Sequence, residues 1–229
     1  MRILLLILIV LNITFFANAQ TSFRDEPTSI KESGYSIVKT SLGYKVNVAL
    51  IVSNPYDDRF ASRPSVQVTL RASDNSILAT KEISGAGIPP LGAIAICETF
   101  RSNEKPIRVD FRTLGAGYEA TEFKSSDFKE YSLLNLRAQT NDYGDLKITG
   151  EIGNPYKKEA GAWVCFLFRD KKGKLIGGHI YWKSEVPAGE PIPFEMNIPA
   201  DEVPENMAST DKMVFSHNNF QSSWHKILR

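Results

Sequence analysis

One tripeptide occurs twice in this chain, about a hundred residues apart, and it constrains the fold more than any other feature. Asn54-Pro55-Tyr56 and Asn154-Pro155-Tyr156 each close a run of alternating apolar residues. The runs are Val46-Asn47-Val48-Ala49-Leu50 and Leu146-Lys147-Ile148-Thr149-Gly150, and period-two alternation signals a half-buried strand. Proline has no N–H to give a ladder and Asn adopts turn conformations readily, so the tripeptide ends the strand. A second alternating run follows each, Val66 to Arg71 and Val164 to Arg169, and then a turn and a third strand. One β unit is used twice.

The repeat extends in both directions. Upstream, strands are expected at Tyr35–Lys39 and Tyr131–Arg137. Downstream, Ile88-Pro89-Pro90-Leu91-Gly92 and Val186-Pro187-Ala188-Gly189 form corners. Further strands are expected near Ala93–Phe100 and Ile192–Ile198, and last ones near Ile107–Phe111 and Met213–Ser216. Six or seven short strands in about 80 residues are the size and spacing of an immunoglobulin-like sandwich. The expected fold class is therefore all-β, two tandem immunoglobulin-like β-sandwich domains after an N-terminal signal peptide. The boundaries read as signal peptide 1–19, flexible leader 20–33, domain 34–112, linker 113–128, domain 129–217 and tail 218–229.

The signal peptide rests on Arg2, the apolar run from Ile3 to Phe16 and the small-x-small end Ala17-Asn18-Ala19. That layout predicts cleavage after Ala19 and a secreted or periplasmic chain. The run is too short for the roughly 20 apolar residues of a spanning helix, and no membrane span is expected in the mature chain. Without Arg2 the basic residues fall from 27 to 26, equal to the 26 acidic ones. A balanced chain carries no electrostatic footprint for nucleic acid.

Hairpin chemistry sets the expected register of the later copy. Asp170-Lys171-Lys172-Gly173-Lys174 suits a type I turn followed by a left-handed glycine, and Asn75 takes the place of that glycine in the earlier copy. If Asp170 faces Lys174, then Ala162, Val164, Phe166 and Phe168 pair with Trp182, Ile180, Gly178 and Ile176 on a core face. Trp163 then pairs with Tyr181, and Cys165 with His179, on the outer face. The matching outer positions of the earlier copy are Ser65, Gln67 and Thr69. An aromatic outer face in one copy only predicts that something covers it, the other copy or a partner. Trp163, Tyr181, His179 and Cys165 are thus the candidate interaction surface. An aromatic pair there suits a protein or glycan partner at the cell envelope; the plainer reading is a cross-strand pair that stabilises the sheet.

No set of residues promises catalysis. There is no Gly-x-Ser-x-Gly elbow, and Gly115-Ala116-Gly117 lacks a helix-opening third glycine. His217 and His225 stand at no metal spacing, and zinc needs three or four converging ligands. Cys165 beside His179 allows a thiol–imidazole hydrogen bond or a metal completed from outside, but incidental neighbours on a sheet are the simpler account. The expectation is no enzyme and no cofactor. The only cysteines, Cys97 and Cys165, stand at non-equivalent places in the repeat. An exported chain permits a disulfide between them; two buried or half-buried free thiols are the alternative.

The later copy resembles the FxLYD family of small extracytoplasmic β-sandwich domains. Gly150-Glu151-Ile152-Gly153-Asn154 fits that family's Gly-x-Ile/Val-x-Asn strand end. Phe166 and Asp170 fit the Phe-x-Leu-Tyr-Asp element, with Phe168 in place of Leu and Arg169 in place of Tyr. Gly173 and Pro187-Ala188-Gly189 supply the turn and corner, and Pro193-Phe194 the following strand. The earlier copy matches at Asn54, Leu70 and Pro90-Leu91-Gly92, with Ala72 where the aspartate belongs. The resemblance implies a secreted or cell-envelope module with no shared catalytic activity. It leaves two functional expectations, a non-catalytic binding or structural module and an envelope-associated accessory subunit of a larger assembly.

Overall fold

Residues 28–216 are described by a computed structural model; the expected signal peptide and tail, and the first part of the leader, lie outside the described residues. Twelve strands follow in order. Copy one has β1 Ser29–Thr40, β2 Gly43–Ser53, β3 Arg59–Arg71, β4 Ile77–Ser84, β5 Ala93–Ser102 and β6 Arg108–Ala120. Copy two has β7 Ser132–Thr140, β8 Leu146–Gly153, β9 Ala160–Arg169, β10 Leu175–Val186, β11 Ile192–Ile198 and β12 Ser209–Ser216. Two 3-10 turns, Ser125–Asp127 and Ala200–Glu202, complete the described elements.

The chain is all-β, and the two copies share one topology. The sheets β1-β2-β5 and β4-β3-β6 recur as β7-β8-β11 and β10-β9-β12, all antiparallel. Within each copy the two sheets share one buried cluster, Val48, Leu50, Val68 and Ile96 in copy one and Ile148, Val164, Phe166 and Phe194 in copy two. Alternation along each strand supplies these faces.

The repeated tripeptide does the same work twice. Asn154 donates from Nδ2 to the carbonyls of Lys158 (2.9 Å) and Val186 (2.8 Å), and its Oδ1 accepts from Tyr156 N (2.9 Å). Asn54 likewise donates to Arg59 O (2.7 Å) and accepts from Tyr56 N (3.1 Å). Both side chains are buried and satisfied, so the repeat is a loop clamp. Tyr156 extends the clamp: its hydroxyl donates to Lys129 O and accepts from Lys129 N, both at 2.8 Å.

Three expectations change. β1 begins at Ser29, inside the expected leader, because Ser29 and Ile30 pair with Ser53 and Val52. The expected linker is strand as far as Ala120: β6 continues past Phe111 and pairs with Arg59–Ser62, giving the early part of β3 its ladder partner. The third change is the register of β10. Asp170 N donates to Lys174 O at 3.0 Å, as the turn requires, but the pairing slips between Leu175 and Gly177. Tyr181 therefore faces Val164, Ile180 faces Cys165 and Trp182 faces Trp163. Gly177, at φ +145°, makes this bulge, and one extra residue exchanges the faces of everything beyond it.

Candidate functional site

The two copies meet along a seam, where the outer face of β1-β2-β5 packs against the outer face of β10-β9-β12. Ladder register defines its rows. Copy one presents Gly34–Ala49–Cys97, flanked by Glu32, Ile51 and Ala95 and by Ser36–Asn47–Thr99. Copy two presents Gly178–Leu167–Asp211, Ile180–Cys165–Met213 and Trp182–Trp163–Phe215. Ala49, Ala95, Cys97, Cys165, Leu167 and Leu175 form one buried cluster across the seam.

Small residues let the backbones approach. A Cβ on Gly34 would stand 1.9 Å from the carbonyl oxygen of Leu175, and one on Gly178 would stand 2.8 Å from Cys97 Sγ. Cys165 Sγ lies 3.7 Å from Ala95 O. Burial, and next the Cys97 thiol beside it, push the Cys165 pKa well above the ordinary thiol range, which keeps it protonated and weakly nucleophilic.

Polar contacts close both ends of the seam. Arg169 forks onto Glu32, with Nη1–Oε1 at 2.6 Å and Nη2–Oε2 at 2.9 Å, and Nε also bonds Asp211. The hydrogen bond from Arg169 holds the Glu32 carboxyl below its usual value against the opposing effect of burial. Such a bidentate fork fixes geometry as well as charge. At the other end Lys45 Nζ reaches Asp201 Oδ1 (2.7 Å) and Glu202 Oε1 (2.9 Å), and Asn47 donates to Glu202 O. His179 Nδ1 lies 3.5 Å from Glu202 Oε2. Burial lowers the His179 pKa, with the Glu202 charge acting in the opposite sense.

The four candidate surface residues thus separate. Cys165 is fully buried in the seam. His179 shares the row of Phe166 and contacts Glu202, so the Cys165–His179 pair does not form. Tyr181 packs toward the core of copy two, its ring 5.4 Å from that of Phe194. Trp163 stays on the outer face, 6.0 Å from Phe215 between ring centres. Trp182, expected on the core face, takes the outer place opposite Trp163 and is 56% exposed. The aromatic row therefore lies at the rim of the seam.

A cavity of about 310 Å³ opens near that row, between the Pro89–Gly92 corner of copy one and Tyr131, Tyr156 and Phe215 of copy two. Lys129, Glu130 and Lys212 stand at its wall. Among the described residues no group of three or more His, Cys, Asp or Glu side chains is placed to hold a metal ion. No helix among them is long and apolar enough to cross a membrane.

The seam residues had a signal in the sequence. Val48-Ala49-Leu50-Ile51-Val52, Ile94-Ala95-Ile96-Cys97 and Val164-Cys165-Phe166-Leu167-Phe168 are unbroken apolar runs, and strands buried on both faces read that way. Gly177-Gly178 inside a strand likewise marks a bulge or a close backbone approach. Comparison with known proteins adds no relative: no family model matches the chain, and no curated protein is found similar to it.

Proposed function

We propose that the chain is an exported, non-catalytic module of two tandem immunoglobulin-like, FxLYD-like sandwiches that binds or spaces a partner in the periplasm or outside the cell. The observation that carries this reading is where the chemically able side chains are used. Cys97, Cys165, Lys45, Glu202 and Arg169 all stand in contacts that join one copy to the other, and His179 faces Glu202 beside them. Side chains committed to internal packing and ion pairs make a rigid spacer rather than a reaction centre. Export is supported by Arg2, the apolar run and Ala17-Asn18-Ala19. The FxLYD resemblance is supported by Asn154, Gly173 and the Pro187–Gly189 corner.

The second reading is an accessory subunit of a larger envelope assembly, and the exposed indole of Trp182 favours it. Tryptophan beside another aromatic row is a common interface anchor. The test uses a photo-crosslinking residue in place of Trp182, with the same residue in place of Tyr143, which is 86% exposed on the β7–β8 turn. In the cell that makes the protein, a discrete adduct from position 182 and none from 143 is expected. The exported chain should begin at Gln20. Equal labelling at both positions, or an exported chain that retains Met1, contradicts the reading.

A further inference from the structure

The seam brings together the two cysteines of the chain from different copies. Cys97 stands in the row Gly34–Ala49–Cys97 of one facing sheet, and Cys165 in the row Ile180–Cys165–Met213 of the other. Both belong to one buried cluster, and each is a free thiol in the structure. Cys165 Sγ reaches the carbonyl of Ala95 at 3.7 Å, and Ala95 lies two residues from Cys97 on the same face of β5. Cys97 Sγ in turn lies over Gly178, in the space a side chain there would fill. The Cys97 thiol is also near enough to help raise the Cys165 pKa.

A cystine needs its Cα atoms about 4.4–6.8 Å apart, whereas stacked sheets ordinarily stand about 10 Å apart. This seam is closer than an ordinary sheet stack. The missing Cβ of Gly34, in the row of Cys97, would lie 1.9 Å from a backbone oxygen of β10, and that of Gly178 lies 2.8 Å from the Cys97 sulfur itself. Gly34 of β1 and Gly178 of β10 bring the two sheets together beside the cysteines.

We propose that Cys97 and Cys165 are an oxidation site, a dithiol that becomes a disulfide and joins copy one covalently to copy two. The co-reactant is a second disulfide, that of an exported dithiol oxidoreductase or of a small oxidised thiol. One cysteine thiolate attacks it, forming a mixed disulfide and releasing the first reagent sulfur. The other cysteine thiolate then attacks the protein sulfur of the mixed disulfide and releases the second. Two protons leave the protein, two electrons pass to the reagent, and one protein disulfide replaces one reagent disulfide. Cys97 is the entry point, because it retains 8% exposure where Cys165 has none. Exchange takes place as the seam closes in folding or when it opens, and the closed seam then shields the bond from reductant. Only the place where the oxidant is met rests on the export proposed above.

The experiment supplies its own oxidant. The purified mature chain is refolded in a mixture of reduced and oxidised glutathione, quenched with acid, unfolded, alkylated and weighed. Folded wild type should take up no alkylating group, weigh two hydrogens less than the reduced chain and yield a peptide pair joined through Cys97 and Cys165. The same chain held in guanidinium through the exchange should stay largely unbridged, because only folding aligns the sulfurs. Cys97→Ser and Cys165→Ser should each leave one reactive sulfur, alkylated or capped by glutathione. Two alkylated thiols in folded wild type, two glutathione caps, or equal bridging with and without denaturant overturns the site. Failure of bridging leaves export untouched, and a chain that is never exported would still bridge in this mixture.

Discussion

Gly34→Ala isolates the close approach of the two copies. Gly34 is not among the residues of positive φ, so alanine fits its backbone, and alanine in a strand interior is ordinarily favoured over glycine by roughly 0.5–1 kcal/mol. The seam reverses that sign. The added methyl would stand 1.9 Å from Leu175 O, 2.3 Å from Leu175 C and 2.8 Å from Ile176 N. All three are backbone atoms, so no rotamer change relieves the clash. Restoring a contact of about 3.5 Å needs the sheets to part locally by about 1.5 Å. The two seam leucines, at about 1.5–3 kcal/mol each, and four smaller side chains, at about 0.8 each, set the whole seam near 6–9 kcal/mol. That parting is greatest at Gly34, and a gap averaging about 1 Å over the seam forfeits a quarter to a half of such contact, roughly 2–4 kcal/mol. Subtracting the strand preference leaves a net loss of about 1–3.5 kcal/mol. Guanidinium melts followed by tryptophan fluorescence measure it, with the exposed neighbour Lys31→Ala as a control expected within about 0.5 kcal/mol. A Gly34→Ala chain as stable as wild type, or more so, refutes the close seam.

Asn154→Ala should cost about 2–3 kcal/mol in the same melts, since it leaves the Lys158 and Val186 carbonyls and Tyr156 N–H without their partner; Asn54→Ala should behave alike. Phe166→Ala should cost about 3–5 kcal/mol and Lys172→Ala less than about 0.5, and equal mildness would contradict the assigned faces. Acidification should weaken the fold in two windows. The His179 pKa is lowered from 6.5 by burial, so the unfolded chain binds its proton first, and stability falls between about 6.5 and the lower folded value. The Glu32 carboxyl is lowered from 4.5 by Arg169, so its contribution is present above 4.5 and is lost as pH falls through the folded value. Urea melts across this range should show His179→Gln flattening the upper window only; an unchanged upper slope would refute the assignment.

The repeat, the turns and the core faces could be read from the chain because they rest on local chemistry. Asn75 and Gly173 adopt φ +69° and +77° at matching turns, as their residue types require. The β10 register could not be read from the turn alone, since the bulge at Gly177 lies beyond it and moves Tyr181 and His179 off the outer face. Cys165 and Trp163 kept their outer positions because β9 precedes the bulge. The covering surface could not be read from the sequence for a different reason. Ser65, Gln67 and Thr69 mark the outer face of β3, but the face that meets copy two belongs to the other sheet, at Ala49 and Ala95. Which sheet docks on which is a tertiary fact, and unbroken apolar runs signal only that both faces are buried.

The central claim is that the seam makes the two copies one rigid body. It is tested most directly by the distance between spin labels at Leu42 and Tyr143, exposed residues on the β1–β2 and β7–β8 turns. Labels carried on non-natural residues leave both cysteines in place. A single narrow distance distribution, broadened by Gly34→Ala, is the predicted result. A broad distribution already present in wild type would mean that the copies move independently and that the seam does not hold them.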